Sequence, residues 1–326
     1  MIKLSIVIPI YYNEKNIPSL YEKLYATIII NKSFEYELIF VDDGSGDNSY
    51  EELKKLQSMD SNIKLIRLSR NFGSHTAILA GLNHVTGDCA TAISADLQDP
   101  PEIIIQMLDK WRKGNRVVLA VRQDREEPFL QKFFSNTYYK LMRKYALKNM
   151  PEGGFDCFLV DKKVIDIIKS IDEKNTTLMG QILWCGFKTE RIFYVRKKRE
   201  EGKSRWTLSK KVKLLIDSFL AFSYVPIRFM SVLGIVFSFV AFIFGLFLII
   251  NKFINGINVQ GWTSLMILFL LVSGIQMIML GVIGEYLWRT FDESRKRPVF
   301  IIDEKIGFDD ENKDRKNEEL YNKLSV

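Results

Sequence analysis

Histidine and cysteine are scarce in this chain, which has 2 histidines and 3 cysteines among 326 residues. So few histidines disfavour a histidine-based metal centre or a Ser-His-Asp triad. The cysteines, Cys89, Cys157 and Cys185, are odd in number and far apart. That pattern argues against a disulfide framework or a zinc site and is typical of a reducing compartment.

Two common nucleotide-binding signatures are also missing. No Gly-x-Gly-x-x-Gly follows the first apolar run, and there is no Walker A sequence, which disfavours a dinucleotide-binding fold and a P-loop. The N-terminal apolar run is short, continues into Asn13 and Glu14 and lacks a small-residue cleavage site. It therefore predicts a first strand rather than a signal peptide. No nucleic-acid motif is visible, so we expect no nucleic-acid partner.

Charge is absent from two long stretches, residues 229–250 and 262–284. As a helix of about 1.5 Å rise per residue, each could cross a bilayer core of about 30 Å; a pair of buried core helices is the alternative. The net charge is +7, and basic residues flank both stretches while the loop between them carries only Lys252. The positive-inside rule then places the N-terminal domain and both termini in the cytoplasm, with anionic lipid as the partner of the basic surface.

Residues 1–122 alternate between strand-like and helix-like patterns. This alternation predicts an α/β domain with a mostly parallel sheet covered on both faces. The predicted strands span residues 4–10, 37–41, 63–68, 89–93 and 117–121, and a late strand is predicted at residues 189–195.

The segments around the charge-free stretches carry weaker signals. Residues 207–225 repeat apolar side chains at helical spacing, which predicts an interfacial helix on the cytoplasmic leaflet; a soluble helix packed on the domain is the alternative. The tail from Asp303 mixes both charges and is expected to be poorly ordered.

Polar side chains follow several of the predicted strands, at the sheet edge where open α/β sheets bind ligands. Carboxylate and amide oxygens there suit Mg²⁺ or Mn²⁺ bridging a diphosphate, and aromatic and acidic side chains suit a nucleoside. Acidic turns and helix-capping loops have the same composition, so the residues alone leave both interpretations open. The groups are residues 9–14 after the first strand, Asp42 and Asp43 after the second, and Asp96, Gln98 and Asp99 after the fourth.

Together these segments resemble family 2 glycosyltransferases of the polyprenyl-phosphate sugar transferase branch, such as bactoprenol glucosyltransferases and dolichol-phosphate mannose synthases. The resemblance implies a GT-A (Rossmann-like) fold, a UDP-sugar donor, an undecaprenyl phosphate acceptor, a Mg²⁺ or Mn²⁺ cofactor and an inner (plasma) membrane location. It also implies a homo-oligomer, a tetramer in the family. The matching segments are residues 9–14, 41–45, 69–73, 95–102, 155–156, 202–205 and 284–287.

The resemblance also implies roles for individual residues. Asp156 and Asp96 are the expected catalytic residues, with Asp96 and Gln98 as metal ligands. Three positions depart from the family pattern, which usually has aspartate at Ser94, arginine at Phe158 and lysine at Arg205. The expected donor-nucleotide residues are Pro9, Tyr11, Glu14, Asp42, Asp43, Arg70 and Ala95. The candidate acceptor-phosphate residues are Arg122, Arg125, Ser204 and Arg205. The guanidinium groups of the three arginines fit phosphate oxygens but could equally be surface charges.

The leading hypothesis is an inverting transfer of one sugar, glucose by resemblance. A processive polysaccharide synthase is a second hypothesis, although Gly202 stands where such enzymes carry the glutamine of Gln-x-x-Arg-Trp. A third is a non-catalytic membrane-anchored nucleotide-sugar sensor or scaffold, which Ser94 supports. The expected domains are residues 1–200 (GT-A), 201–228 (juxtamembrane amphipathic), 229–288 (transmembrane hairpin) and 289–326 (cytoplasmic tail).

Overall fold

The computed structural model describes residues 1–31, 33–122, 129–155, 157–195, 217–218, 220–255 and 261–308. The chain divides into two compact units. The first comprises Met1–Asp172, Thr177–Lys211 and Pro298–Val326, and the second comprises Glu173–Thr176 and Val212–Arg297.

The first unit is an α/β domain built on one sheet. Its strands are β1 (Lys3–Ile10), β2 (Glu35–Asp42), β3 (Ile63–Leu68), β4 (Cys89–Ala92), β5 (Val117–Arg122), β6 (Cys157–Asp161), β7 (Thr189–Tyr194) and β8 (Ile302–Ile306). Its helices are α1 (Ile17–Leu24), α2 (Ser49–Met59), α3 (Ser74–Leu82), α4 (Glu102–Arg112), α5 (Phe129–Tyr145), α6 (Lys162–Ser170) and α7 (Leu178–Trp184), and a π-helical turn, Tyr25–Ile29, continues α1.

The sheet has eight strands in the order β7-β5-β6-β4-β1-β2-β3-β8. The β1–β2, β1–β4, β2–β3 and β5–β7 pairs are parallel, whereas β6 and β8 pair antiparallel with their neighbours. The predicted mostly parallel sheet is confirmed. Its central strands are buried almost throughout, because helices cover both faces and leave neither face for solvent.

Strand β8 was not predicted, and the expectation of a poorly ordered tail from Asp303 is wrong for residues 303–306, which belong to this strand. This segment pairs antiparallel with β3, with Glu304 opposite Arg67. Just before the strand, the Ile301 carbonyl accepts a hydrogen bond of 3.0 Å from the Ser69 amide. The charges that suggested disorder suit an edge strand, where they discourage pairing with another chain.

The second unit contains two long helices, α8 (Val225–Asn255) and α9 (Trp262–Ser294). Within them, Val225–Phe247 and Ser264–Ser294 are long and apolar enough to cross a membrane. Most of the predicted interfacial helix, residues 207–216 in particular, lies outside the described residues.

An ionic cluster lies beside the C-terminal part of α9 in the same unit. The Arg289 guanidinium donates to Asp217 Oδ1 at 2.7 Å and to Glu285 Oε1 at 2.9 Å. It also donates to the Asn175 carbonyl at 3.2 Å. Arg289 therefore ties the segment at Asp217 and the loop at Asn175 to α9.

Candidate active site

The candidate site lies at one edge of the sheet, where the carboxyl ends of the adjacent parallel strands β4, β1, β2 and β3 come together. Strand β5 points the same way, since β6 lies antiparallel between it and β4. Arg122 ends β5, opposite Tyr194 of β7. The topology thus brings together, at the carboxyl ends of the parallel strands, the polar clusters that follow these strands.

The loop after β1 is held against the start of α2. The Tyr12 amide donates to Ser45 Oγ at 3.0 Å and the Asn13 amide donates to Ser49 Oγ at 2.9 Å. The Glu14 carboxylate accepts from the backbone and side-chain nitrogens of Asn48, both at 3.2 Å. Tyr12 adopts a left-handed conformation with φ of 56° and is 44% exposed, so it presents an aromatic ring at the edge.

Asp43 holds together the loops that follow β2 and β3. Its carboxylate accepts from the Phe72 amide at 2.7 Å, the Gly73 amide at 2.9 Å and Asn71 Nδ2 at 3.0 Å. Gly44 has a φ of +70°, and a Cβ there would lie 2.7 Å from the Arg70 carbonyl carbon. Only glycine fits this close approach of the two loops.

Asp42 has a different environment from its neighbour. It is fully buried; its Oδ1 accepts from the Ser45 amide at 3.2 Å, and its Oδ2 lies 3.7 Å from Arg67 Nε. Within the described ranges, Oδ2 has no hydrogen-bond partner. Burial raises the pKa of both Asp42 and Asp43. A buried acceptor without a donor needs an explanation, and a ligand N–H or O–H would supply one.

The acidic loop after β4 contains two differently used carboxylates. Asp96 is 7% exposed, and its Oδ1 accepts from the Ser94 hydroxyl at 2.9 Å and the Gln98 amide at 3.2 Å. Asp99 is buried and its Oδ1 accepts from the Tyr194 hydroxyl at 2.7 Å, which ties the loop to the end of β7. The Ala95 carbonyl accepts from Asn16 Nδ2 at 3.5 Å.

The chemistry of this loop can be tested against the divalent cation expected from the sequence. Among the residues that the structure describes, no three His, Cys, Asp or Glu side chains form a group that could hold a metal ion. Mg²⁺ usually binds through one or two carboxylates and completes its coordination with substrate phosphates and water. The Asp96 carboxylate with the Gln98 amide fits such a substrate-bridging cation and does not fit a cation held by protein alone.

The acceptor half of the predicted site is described only in part. Arg122 is half-buried at the end of β5, and β6 begins at the same edge, with Cys157 opposite Ala120. Gly153 and Gly154 precede it with φ of 78° and 73°. The other predicted residues of this half, Arg125, Asp156, Ser204 and Arg205, lie outside the described residues.

Two neighbours of the site were missed by the sequence reasoning. Arg67 comes from inside β3 and faces Asp42, and Tyr194 comes from β7 and contacts Asp99. Neither lies in a polar cluster after a strand, and both strands contain other polar residues, so the composition of the strand ends gave no signal for either.

Comparison with known proteins was made at the level of family, sequence and fold. The sequence model of glycosyl transferase family 2 matches residues 5–168. The chain is 38% identical over 309 residues to the uncharacterized glycosyltransferase YkcC of Bacillus subtilis (strain 168), covering 94% of this chain and 95% of that protein. It is 36% identical over 301 residues to the prophage bactoprenol glucosyl transferase homolog of Escherichia coli (strain K12), covering 92% and 98%. A solved structure of glucosyl-3-phosphoglycerate synthase from Mycobacterium tuberculosis, in complex with Mn²⁺, UDP and phosphoglyceric acid, matches with a TM-score of 0.45 at 13% identity, covering 66% of this chain and 75% of that one.

Proposed function

The chain belongs to glycosyl transferase family 2, and from that premise we propose that it moves a single sugar from a UDP-sugar to undecaprenyl phosphate at the inner (plasma) membrane. Glucose is the first choice of sugar, because relatives named for bactoprenol glucosyl transfer match almost the whole chain. The observation that carries the proposal lies at the carboxyl ends of the parallel strands. There, a buried Asp42 oxygen has no hydrogen-bond partner among the described residues, and Asp96 offers an oriented carboxylate. The chain also has two helices apolar enough for a membrane.

The donor nucleotide would lie across the ends of β1, β2 and β3. Asp42 Oδ2 would accept the N–H of the uracil base, and the rings of Tyr11 and Tyr12, whose centroids are 4.8 Å apart, would offer it an aromatic surface. Arg70 is exposed, and its guanidinium carbon Cζ lies 4.0 Å from the centroid of the Phe72 ring. From there it would face the negatively charged diphosphate. Pro9, Glu14, Asp43 and Ala95 would shape this half, three of them through the loop contacts described above.

Asp96 and Gln98 would hold a Mg²⁺ or Mn²⁺ ion against the diphosphate. When bound, such a cation neutralises charge on the leaving nucleoside diphosphate. Asp96 contributes a charged oxygen and Gln98 an amide oxygen, both on a loop whose geometry is set by hydrogen bonds to Ser94 and the Gln98 amide.

In the transfer step an oxygen of the lipid phosphate would form a bond to the anomeric carbon of the sugar. The bond between that carbon and the diphosphate oxygen would break, UDP would leave with the electron pair, and the configuration would invert. A phosphate monoester has a second pKa of about 6, so the attacking oxygen is largely ionised at neutral pH. Asp156 would therefore mainly orient the acceptor.

The acceptor phosphate would be gripped by Arg122, Arg125, Ser204 and Arg205, and its lipid tail would remain in the bilayer crossed by α8 and α9. The catalytic unit and both termini would lie in the cytoplasm, where nucleotide sugars are made. Assembly as a homo-oligomer, a tetramer, forms part of the same proposal.

Membranes containing the chain, incubated with labelled UDP-sugars, test this function against its alternatives. The expected result is a label that becomes extractable into organic solvent and stays with a single-sugar lipid. Label in a polymer would favour a processive synthase. Label that stays in the nucleotide, despite saturable UDP binding, would favour a sensor or scaffold.

A further inference from the structure

Ser94 lies two residues after the end of β4 and contacts the carboxylate of Asp96. Its hydroxyl donates to Asp96 Oδ1 at 2.9 Å, and the Gln98 amide donates to the same oxygen at 3.2 Å. Two donors on one oxygen restrict the rotation of the carboxyl group. Ser94 thus contacts Asp96 without adding a second negative charge beside it.

The backbone between these donors is strained, which indicates that the loop geometry is specified. Leu97 has a φ of 60°, a left-handed conformation that costs free energy for a residue with a Cβ. Its side chain is 5% exposed and belongs to the main hydrophobic core. Burial of Leu97 therefore holds a turn that directs the Gln98 amide back toward Asp96.

We propose that Ser94 is a positioning residue, which fixes the Asp96 carboxylate so that one aspartate suffices to bind the cation at the donor diphosphate. This inference rests on the proposed function. A carboxylate already held in one rotamer loses less conformational entropy when it binds. Residues that orient metal ligands through a hydrogen bond commonly change metal affinity by about 10- to 100-fold when they are replaced.

The test measures binding of Mn²⁺ to the full-length chain in detergent with saturating UDP, from the electron paramagnetic resonance signal of free Mn²⁺. Ser94→Ala should weaken Mn²⁺ binding by about tenfold while UDP affinity in EDTA stays at the wild-type value. Ser94→Thr, which keeps the hydroxyl, should stay close to wild type. Ser58→Ala removes an exposed hydroxyl bonded to the Lys55 carbonyl and serves as the control.

Ser94→Val matches threonine in shape and lacks the hydroxyl, so the Thr and Val pair decides the question if the alanine variant folds poorly. Equal Mn²⁺ affinity of Ser94→Thr and Ser94→Val, or of Ser94→Ala and wild type, overturns the proposal for Ser94 alone. Wild-type protein that binds neither UDP nor Mn²⁺ overturns the proposed function and the Ser94 proposal with it.

Discussion

Asp42 and Asp43 show how two adjacent, identical residues acquire different tasks. Asp43 accepts three hydrogen bonds from residues 71–73, whereas Asp42 Oδ2 has no such partner among the described residues. Successive side chains on an extended chain point to opposite sides, so one carboxylate turns to the neighbouring loop and the other does not. The sequence predicted both as nucleotide contacts and could not separate them.

This difference predicts different effects of the same substitution. Asp42→Asn should lower UDP affinity by about 10- to 100-fold, the usual worth of a hydrogen bond to a charged group, with little change in thermal stability. Asp43→Asn should lower the thermal midpoint, because the Phe72 and Gly73 amides lose charged acceptors. Calorimetric titration and thermal unfolding measure the two effects. Loss of UDP affinity in Asp43→Asn with unchanged stability, and none in Asp42→Asn, would reverse the assignment.

Glu37 is a buried charge near the amino-terminal end of β2, at the opposite end of the parallel strands from the candidate site. Burial alone would raise its pKa, but hydrogen bonds from Lys64, Ser5 and Thr86 outweigh burial and lower the pKa of Glu37 to about 2. Lys64 Nζ lies 2.8 Å from Oε2, and the Thr86 amide lies 2.6 Å from Oε1. The network joins β1, β2 and β3 to the loop before β4.

The depressed pKa predicts a specific acid sensitivity. The stabilisation from Glu37 is complete above its ordinary pKa of 4.5 and is lost as the pH falls toward 2. Glu37→Gln should cost about 3 kcal/mol at pH 7, and the gap from wild type should close between pH 4.5 and 2. Urea unfolding from pH 2 to 7 measures the gap. The exposed Glu51→Gln is the control, and a gap that is constant with pH would refute the assignment.

At the scale of elements, local pattern predicted the six strands that run in one direction and missed the two antiparallel strands, β6 and β8. The first five strands carry continuous apolar runs followed by polar clusters, so both the strands and their order along the chain could be read. Strands β6 and β8 are short and join neighbours distant in sequence: β6 lies between β4 and β5, and β8 pairs with β3. Pairing between segments that are far apart in sequence produces no repeat of apolar residues that could be recognised locally. The Asp43 and Asp96 contacts were missed for the same reason, since strand-end composition does not reveal which donors meet which oxygens.

Because β8 pairs with β3, we expect the C-terminal segment to contribute to the donor half of the site. Removal of residues 298–326 would leave Leu65 to Leu68 of β3 without partners on that side and would free the Ser69 amide that precedes Arg70. We expect the thermal midpoint to fall by about 5 °C or more and UDP affinity to fall with it.

A chain that stops after Phe308 keeps β8 and is the matched control. It should match the full chain in both thermal midpoint and UDP affinity, measured in the same detergent. If both truncations behave like the full chain, β8 makes no contribution to the donor site.

At the scale of the whole molecule, the sheet constrains the membrane topology. Strands β1 to β7 precede α8 and β8 follows α9, yet all eight lie in one sheet. Any membrane crossings between Tyr194 and Ile302 must therefore be even in number, and the two proposed crossings by α8 and α9 satisfy this. The basic flanks then favour the cytoplasmic side for the sheet.

This topology predicts the behaviour of reporters fused to the chain. Two reporter enzymes are compared, one that is active only in the cytoplasm and one that is active only outside the membrane. After Val326, only the cytoplasmic reporter should be active. In the loop at residues 256–260, only the external reporter should be active. An external C-terminus would contradict the topology and would separate the site from the cytoplasmic nucleotide sugars that the proposed function requires.

The central claim is that this chain alone transfers one sugar to a polyprenyl phosphate. Its most direct test is mass spectrometry of undecaprenyl phosphate incubated with UDP-glucose, Mg²⁺ and purified wild-type chain or Asp96→Ala. We expect the wild type to add the mass of one hexose and Asp96→Ala, although folded, to add none, with EDTA abolishing the wild-type product. An unmodified lipid with every UDP-sugar tested, or a product formed equally by Asp96→Ala, would contradict the account.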